Sequence, residues 1–258
     1  MNDVIDLTML QIGLAYIFVL IVLAIVRFRG IGREKEIVLS SLRMTLQLVL
    51  VGYVLVYVFD NPSPYVTGLI IVVMEAFAIH TIFRKFRDKL TNPLRKVIAF
   101  AMCFGTLTCI VYFLLVVVRV TPWYEPRYFV PIAGMIIGNS MTGISLGVKS
   151  LLEGMTTRKH LVEEALILGA TPKAATRGIV NGAFDSAIMP TINSMVGMGI
   201  VFLPGMMTGQ ILSGTVPTTA IAYQIAIMLG ILGAVALTII TMLQLGCRTF
   251  FNKQDQLV

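Results

Sequence analysis

Seven stretches of this chain stay apolar for long enough to cross a bilayer, and that confines the fold to a helical membrane bundle. About 20 residues of helix span about 30 Å of hydrocarbon. Within lipid, only helices and closed barrels satisfy their own backbone hydrogen bonds. The stretches cover residues 9–26, 38–59, 65–83, 97–118, 128–148, 186–203 and 217–243, each far longer than a strand. Apolar types make up 57% of the 258 residues and charged types 13%, against about 25% charge in a soluble domain. The expectation is an all-α polytopic membrane protein of about seven transmembrane helices, one transmembrane domain over residues 1–258, multi-pass in the cell membrane. The sixth stretch is the least regular, being rich in Gly, Pro and polar residues. The seventh is long enough to tilt.

Charge orients these crossings. The link after the first stretch carries Arg27, Arg29, Arg33 and Lys35. The link after the third carries Arg84, Lys85, Arg87, Lys89, Arg95 and Lys96, and that after the fifth carries Lys149, Arg158, Lys159, Lys173 and Arg177. Arg248 and Lys253 follow the seventh. The alternate links hold only Arg119 and Arg127, set against Asp60 and Glu125, and the amino end has Asp3 and Asp6. Basic loops mark the cytoplasmic side, so the N-terminus is expected outside and the C-terminus inside. The net charge of +7 then faces anionic lipid heads and calls for no nucleic-acid partner. The first stretch has acids before it and bases after it, the pattern of an uncleaved anchor rather than a signal peptide. Cys103, Cys109 and Cys247 lack ligand spacing and read as packing thiols.

Residues 149–185 form the one link long enough to build a structure of its own, a helix–turn–helix expected on the cytoplasmic side. Thr156 or Thr157 suits the N-cap of a helix over 158–168. Gly169 suits a left-handed C-terminal position. Thr171 is a good second N-cap, and Pro172 stands at the first helical position, where its missing N–H costs nothing. The second helix is expected to run to Val180 or beyond. Leu161, Ala165 and Leu168 share one side of the first helix, and Glu163 and Glu164 lie near its middle. Two readings stand: an interfacial loop resting on the bilayer, or a knob on which a soluble motor protein docks. The chain has no Gly-rich loop ending in GK[ST], so work against a gradient would draw on a partner or a coupling ion.

The order Glu163-Glu164-Ala165, three residues, Gly169, nine residues, Ile179 resembles the coupling motif of ATP-binding-cassette importer permeases. The Leu-Pro that closes that motif is replaced here by Asn181 and Gly182. Three further segments, PIAGMIIGNSMTG at 131–143, EEALILGATPKAA at 163–175 and LPGMMTGQILSG at 203–214, resemble a small family of bacterial permeases linked to iron export, with plant relatives associated with aluminium tolerance. The likeness runs over nearly the whole chain. It implies the membrane subunit of an ATP-driven exporter for iron or another metal ion, working as a homodimer. A separate ATP-binding subunit would sit on each copy, touching Glu163, Glu164, Ala165, Gly169, Ala170, Thr171 and Pro172. The chain itself would bind no cofactor and catalyse nothing, ATP and Mg residing in the partner. The coupling motif is of importer type whereas the family points to export.

Polar groups inside the apolar stretches are the pathway candidates. Glu75 lies near the middle of the third, where a charge is costly and faces the bundle interior or a wet cavity. It is either a neutral group bonded to a neighbouring helix or a site for a cation or proton. In that second role it would serve an ion-coupled secondary transporter, the alternative to the ATP-driven reading. Such transporters carry internal repeats, and no duplicated motif is visible. His80 is about 140° around the helix from Glu75 and reads as interfacial. The fifth stretch carries Gly134-x-x-x-Gly138 and Gly143-x-x-x-Gly147 around Asn139, Ser140 and Thr142, which suits close packing or, for Asn139, a lining role. Asp185, Thr191, Asn193 and Ser194 make the sixth similarly polar, with Asp185 a candidate N-cap. Residues 203–214 contain a Pro-Gly break, Met206, Met207 and Gln210. Thioethers suit copper(I), and a structural turn is the plainer reading. No HExxH or comparable zinc spacing is present.

Overall fold

The computed structural model describes residues 7–252 and 254–257. Asp3, Asp6 and Lys253, which contribute to the charge pattern, lie outside them. The described chain is helical: α1 Met9–Phe28, α2 Glu34–Asp60, α3 Pro64–Lys85, α4 Asn92–Tyr112 continued by a π-helical turn Phe113–Val118, α5 Pro126–Thr157, α6 Lys159–Ile167, α7 Pro172–Ala175, α8 Arg177–Gly197, α9 Gly205–Leu212 and α10 Pro217–Arg248. Among the described residues, six are long and apolar enough to cross a membrane: α1, α2, α3, α4 with its π turn, α5 and α10. Residues 186–197 of the sixth stretch lie in α8, which is not one of the six, and 198–203 follow its end. Helix α8 begins at Arg177, nine residues earlier than the apolar run, and so takes in Arg177, Asn181 and Asp185.

Local chemistry explains the helix starts. Thr8 and Gln11 form a capping box around the first turn of α1, satisfying donors that have no intrahelical partner. Proline occupies the first turn of α3, α4, α5 and α10, where it is pre-set for helix and gives up no bond. Three expectations about caps fail. Neither Thr156 nor Thr157 caps a helix, because both are still inside α5, and the Thr156 hydroxyl donates 2.8 Å to the Leu152 carbonyl four residues back. The N-cap of α6 is Arg158, without a side-chain bond. Asp185 is not an N-cap but lies in mid-α8, and the helix started by Pro172 stops at Thr176 before α8 resumes.

Two compact units result. The first runs through Asn61 and includes Leu212–Gly214. In it α1 and α2 pair, with the Tyr16 hydroxyl bonded to Thr45, and bury little beyond Val26 and Val58. The second holds α3, α4, α5, α8 and α10 around a core that includes Ile98, Met102, Ile136, Ile144, Leu151 and Ile239. Helix α5 is its axis, packing on each of the other four. The Thr67 hydroxyl on α3 donates 3.1 Å to the Tyr124 carbonyl just before α5, so these two helices start at one end. At the other end Gly246 of α10 faces Leu94 and Leu151. The basic links after α3 and α5 and the basic end of α10 therefore share one end of this unit.

Helices α4 and α10 approach closely at Gly105. A Cβ on Gly105 would lie 2.3 Å from Thr238 Oγ1 and 2.8 Å from Thr238 Cα. Only glycine permits that contact, and it locks the two helices in register. Of the two glycine pairs on α5, Gly134 meets Met74, Gly143 meets Val235 and Ile239, and Gly147 meets Met242, while a Cβ at Gly138 would meet nothing within 4 Å.

Candidate functional site

The elbow is smaller than the sequence suggests. Residues 149–157 extend α5 and 177–185 begin α8, leaving only Arg158 to Thr176 between the long helices. Its turn is closed by two backbone bonds, Ala170 N–H to the Ala165 carbonyl and Gly169 N–H to the Leu166 carbonyl, each 2.9 Å. This is a Schellman closure, and it requires the positive φ of +88° that Gly169 adopts. Thr171 then accepts a bond of 3.3 Å from Ala174 N–H, with Pro172 in the first turn. The Thr176 hydroxyl donates 2.7 Å to the Pro172 carbonyl, and Cys247 at the end of α10 bonds to Thr176. The turn is thus pinned to the bundle at its exit.

The elbow's inward side is Val162, 1% exposed, with Leu166 packed on the core beside it. Leu161, Ala165 and Leu168 share another side, on which Ala165 is half-buried, and Leu161, Ile167 and Leu168 stand out at 62%, 83% and 87% exposure. Lys159 and Glu163 form an exposed ion pair of 3.7 Å along α6, and Glu164 is exposed.

Glu75 points into the second unit's core and is 5% exposed. The Thr106 hydroxyl of α4 donates to its Oε1 and also lies 2.7 Å from the Met102 carbonyl. Glu75 Oε2 has no hydrogen-bond partner among the described residues. Thr106 is the partner that sequence reasoning missed. A threonine 31 residues away in another apolar run carries no local signal; only helix pairing brings it to Glu75.

The remaining candidates divide. Asn139 and Asn193 are exposed, on α5 and α8. Met206 packs against the core and Met207 is buried, so the thioethers on α9 are engaged in packing, and Gln210 is half-buried there. Among the described residues, no three His, Cys, Asp or Glu side chains converge on one point.

A bundle of long apolar helices with a rigid elbow at one end defines a multi-pass membrane protein. Over residues 9–251 the sequence matches the family described as "Uncharacterised protein family (UPF0014)", and the chain belongs to that family. It is 32% identical over 248 residues to the UPF0014 membrane protein YjkA of Bacillus subtilis, covering 96% of this chain and 97% of the relative. It is 34% identical over 249 residues to the protein ALUMINUM SENSITIVE 3 of Arabidopsis thaliana, covering 96% and 89%. It is 32% identical over 255 residues to the probable iron export permease protein FetB of Escherichia coli, covering 98% and 96%. No solved structure matches.

Proposed function

We propose that this chain is the transmembrane permease subunit of an ATP-driven metal exporter, working as a homodimer with a separate ATP-binding subunit on the elbow of each copy. The observation that carries this reading is the elbow itself. Its turn is set by Gly169 and tied to α10 through Thr176, while Leu161, Ile167 and Leu168 are left uncovered. An apolar knob on a rigid mount can receive a push and pass it to α5 and α8. A floppy loop cannot. The metal ion comes from the relatives' names, one a probable iron export permease and one named for aluminium sensitivity. In this reading the chain crosses the membrane seven times, with α8 as the additional crossing. The basic end of the bundle faces the cytoplasm, the N-terminus lies outside and the C-terminus inside. ATP and Mg belong to the partner, and the permease does no covalent chemistry, converting the partner's movement into alternating access.

The test is photo-crosslinking from Glu164 and Ala170 to the co-purified ATPase, followed by transport in proteoliposomes with and without it. Crosslinks from the elbow and ATP-dependent metal efflux are expected. Crosslinks confined to the opposite membrane face end the docking reading. Gly169→Leu should insert and fold yet lose both transport and stimulation of the ATPase, because a side chain opposes the left-handed turn.

A second reading is favoured by one observation, the unpartnered oxygen of buried Glu75. There the chain is an ion-coupled transporter with Glu75 as the relay. Transport that persists without any ATPase and changes its pH dependence in Glu75→Gln would select it.

A further inference from the structure

Two links at the basic end of the second unit differ in charge. The one that contains the elbow, residues 149–185, holds five basic and four acidic side chains. Two of its bases are paired, Lys149 with Glu153 at 3.9 Å and Lys159 with Glu163 at 3.7 Å. Residues 84–96, where α3 turns into α4, hold six basic side chains against one acid, Asp88. Among the described residues this stretch forms no ion pair, and Arg84, Lys85, Arg87 and Lys89 are all exposed. A surplus of five charges, in a chain whose net charge is +7, is thus gathered in one short link.

The link is also held flat against the bundle. Helix α3 ends at Lys85 and α4 begins at Asn92, so only residues 86–91 join them. Phe86 and Leu90 are turned inward, each 8% exposed, and the Lys89 N–H closes a turn on the Phe86 carbonyl at 3.0 Å. Arg95, near the start of α4, reaches back, its Nη2 donating 2.9 Å to the Arg87 carbonyl. Its guanidinium is thereby fixed on the backbone of a second arginine. Arg95 Nε is buried and has no hydrogen-bond partner among the described residues. Like charges gathered in this way repel, and an anion among them relieves the repulsion. The bases begin where the hydrocarbon stops: Arg84 follows Ile82 and Phe83, and Lys96 precedes Val97 and Ile98. A link this short, pinned by two buried side chains, keeps its charges at headgroup depth. The elbow instead carries a separate helix of nearly balanced charge with apolar groups outward, which suits a protein. Clusters of about four to eight Lys or Arg directly beside an apolar helix attract anionic headgroups, each base contributing about fivefold in affinity.

We propose that the α3–α4 link is a binding site for anionic phospholipid, whose phosphate headgroup is held by Arg84, Lys85, Arg87 and Lys89 with Arg95 beside them. The bound lipid ties down the ends of α3 and α4, the two helices joined at Glu75 and Thr106. The site goes beyond the permease reading: it needs a membrane protein, with or without an ATPase.

The test titrates the full chain, purified in neutral detergent, with phosphatidylglycerol and with phosphatidylcholine, counting bound lipid by native mass spectrometry. The parent chain should bind phosphatidylglycerol more tightly. Arg87→Gln combined with Lys89→Gln should weaken that binding about 25-fold, about fivefold for each base. Arg87→Lys keeps the charge and should stay within about twofold of the parent, as should Lys149→Gln combined with Lys173→Gln in the other link. Adding phosphatidylglycerol to phosphatidylcholine vesicles should raise the melting temperature of the parent chain and not that of the Arg87→Gln, Lys89→Gln variant. That melt also shows whether the variant is folded. Equal affinity for the two lipids overturns the proposal, and so does a folded double variant that binds phosphatidylglycerol as the parent does. Inorganic phosphate displacing the lipid at equal concentration would make this a site for free anions. Crosslinks from Arg87 to a co-purified ATPase that phosphatidylglycerol fails to displace would make it a protein contact. Either result ends the proposal. Loss of elbow crosslinks to an ATPase would end the ATP-driven reading and leave the lipid titration unchanged.

Discussion

Glu75 and Asn139 are both polar groups in the middle of long apolar helices, and the bundle treats them in opposite ways. Glu75 is turned inward and shares the hydroxyl of Thr106 on the next helix. Asn139 is turned outward and donates from its Nδ2 to the Met135 carbonyl of its own helix. The first arrangement ties two helices together and depends on the neighbour. The second depends on nothing outside α5 and leaves an oxygen free for whatever lies beyond. A polar residue in an apolar helix is therefore not one signal but two, and what separates them is whether the partner belongs to another helix.

The strongest way to break this contrast uses glycine. Gly105 sits in the inward region, with Thr238 backbone 2.8 Å from where a Cβ would be, and Gly138 sits on the outward face with nothing within 4 Å. Gly105→Ala should push α4 from α10 and cost about 3 kcal/mol, the upper end of overpacking penalties. A large fall in melting temperature and in monodisperse yield is expected. Gly138→Ala should leave both at parent values. Equal behaviour of the two variants would mean that α5 meets a closely packed neighbour at Gly138.

The same contrast extends to the elbow. Val162 is buried and Leu161, next to it, is exposed. Val162→Ala removes two buried carbons and should destabilise by about 2 kcal/mol, from the transfer loss and the cavity it leaves. Leu161→Ala should alter the melting temperature little and weaken ATPase crosslinking instead. A thermal shift from Leu161→Ala as large as that from Val162→Ala would show the elbow's outer side to be packed within the folded chain.

The sequence made some of this legible and hid the rest for physical reasons. Long apolar runs and prolines at Pro64, Pro93, Pro126 and Pro217 mark helices because both act locally. Gly169, Thr171 and Pro172 were readable for the same reason: left-handed geometry, a cap and a first-turn proline are each specified within a few residues. Thr156 and Thr157 misled because a threonine that can cap a helix can equally bond back to Leu152 inside one. Asp185 misled because the apolar run and the helix do not begin together; α8 starts at Arg177, where the chain is still polar. Leu161, Ala165 and Leu168 do share a side, but which of them would be covered was not legible: Leu161 and Leu168 are exposed and Ala165 is half-buried, while Val162 beside them meets the core. Gly105 carried no signal, its meaning residing in Thr238 on another helix.

Thr106→Val tests the inward pair with a smaller effect. It keeps the shape of the side chain and removes the hydroxyl that meets Glu75. Interhelical bonds of this type are worth about 0.6 to 1.7 kcal/mol in membranes, and a loss in that range is expected by reversible unfolding in detergent. Thr106→Ser should restore most of it. If Thr106→Val combined with Glu75→Gln costs the sum of the two single changes, the residues are not coupled and the inward half of the comparison fails.

The smallest expected effect is the most discriminating. Among the described residues, Asn139 bonds only to its own helix and is exposed, so Asn139→Ala removes no hydrogen bond between described helices. Alanine also favours helix at least as well as asparagine does. Stability should therefore change by less than about 0.5 kcal/mol, as for surface positions away from special features. If Asn139 lines the path in the permease reading, metal transport should nevertheless fall. A variant that unfolds as Thr106→Val does would place Asn139 in a packed interface. One that keeps both stability and transport would make it a bystander on the face. Only unchanged stability with reduced transport fits a polar group whose partner is the passing cation rather than the protein.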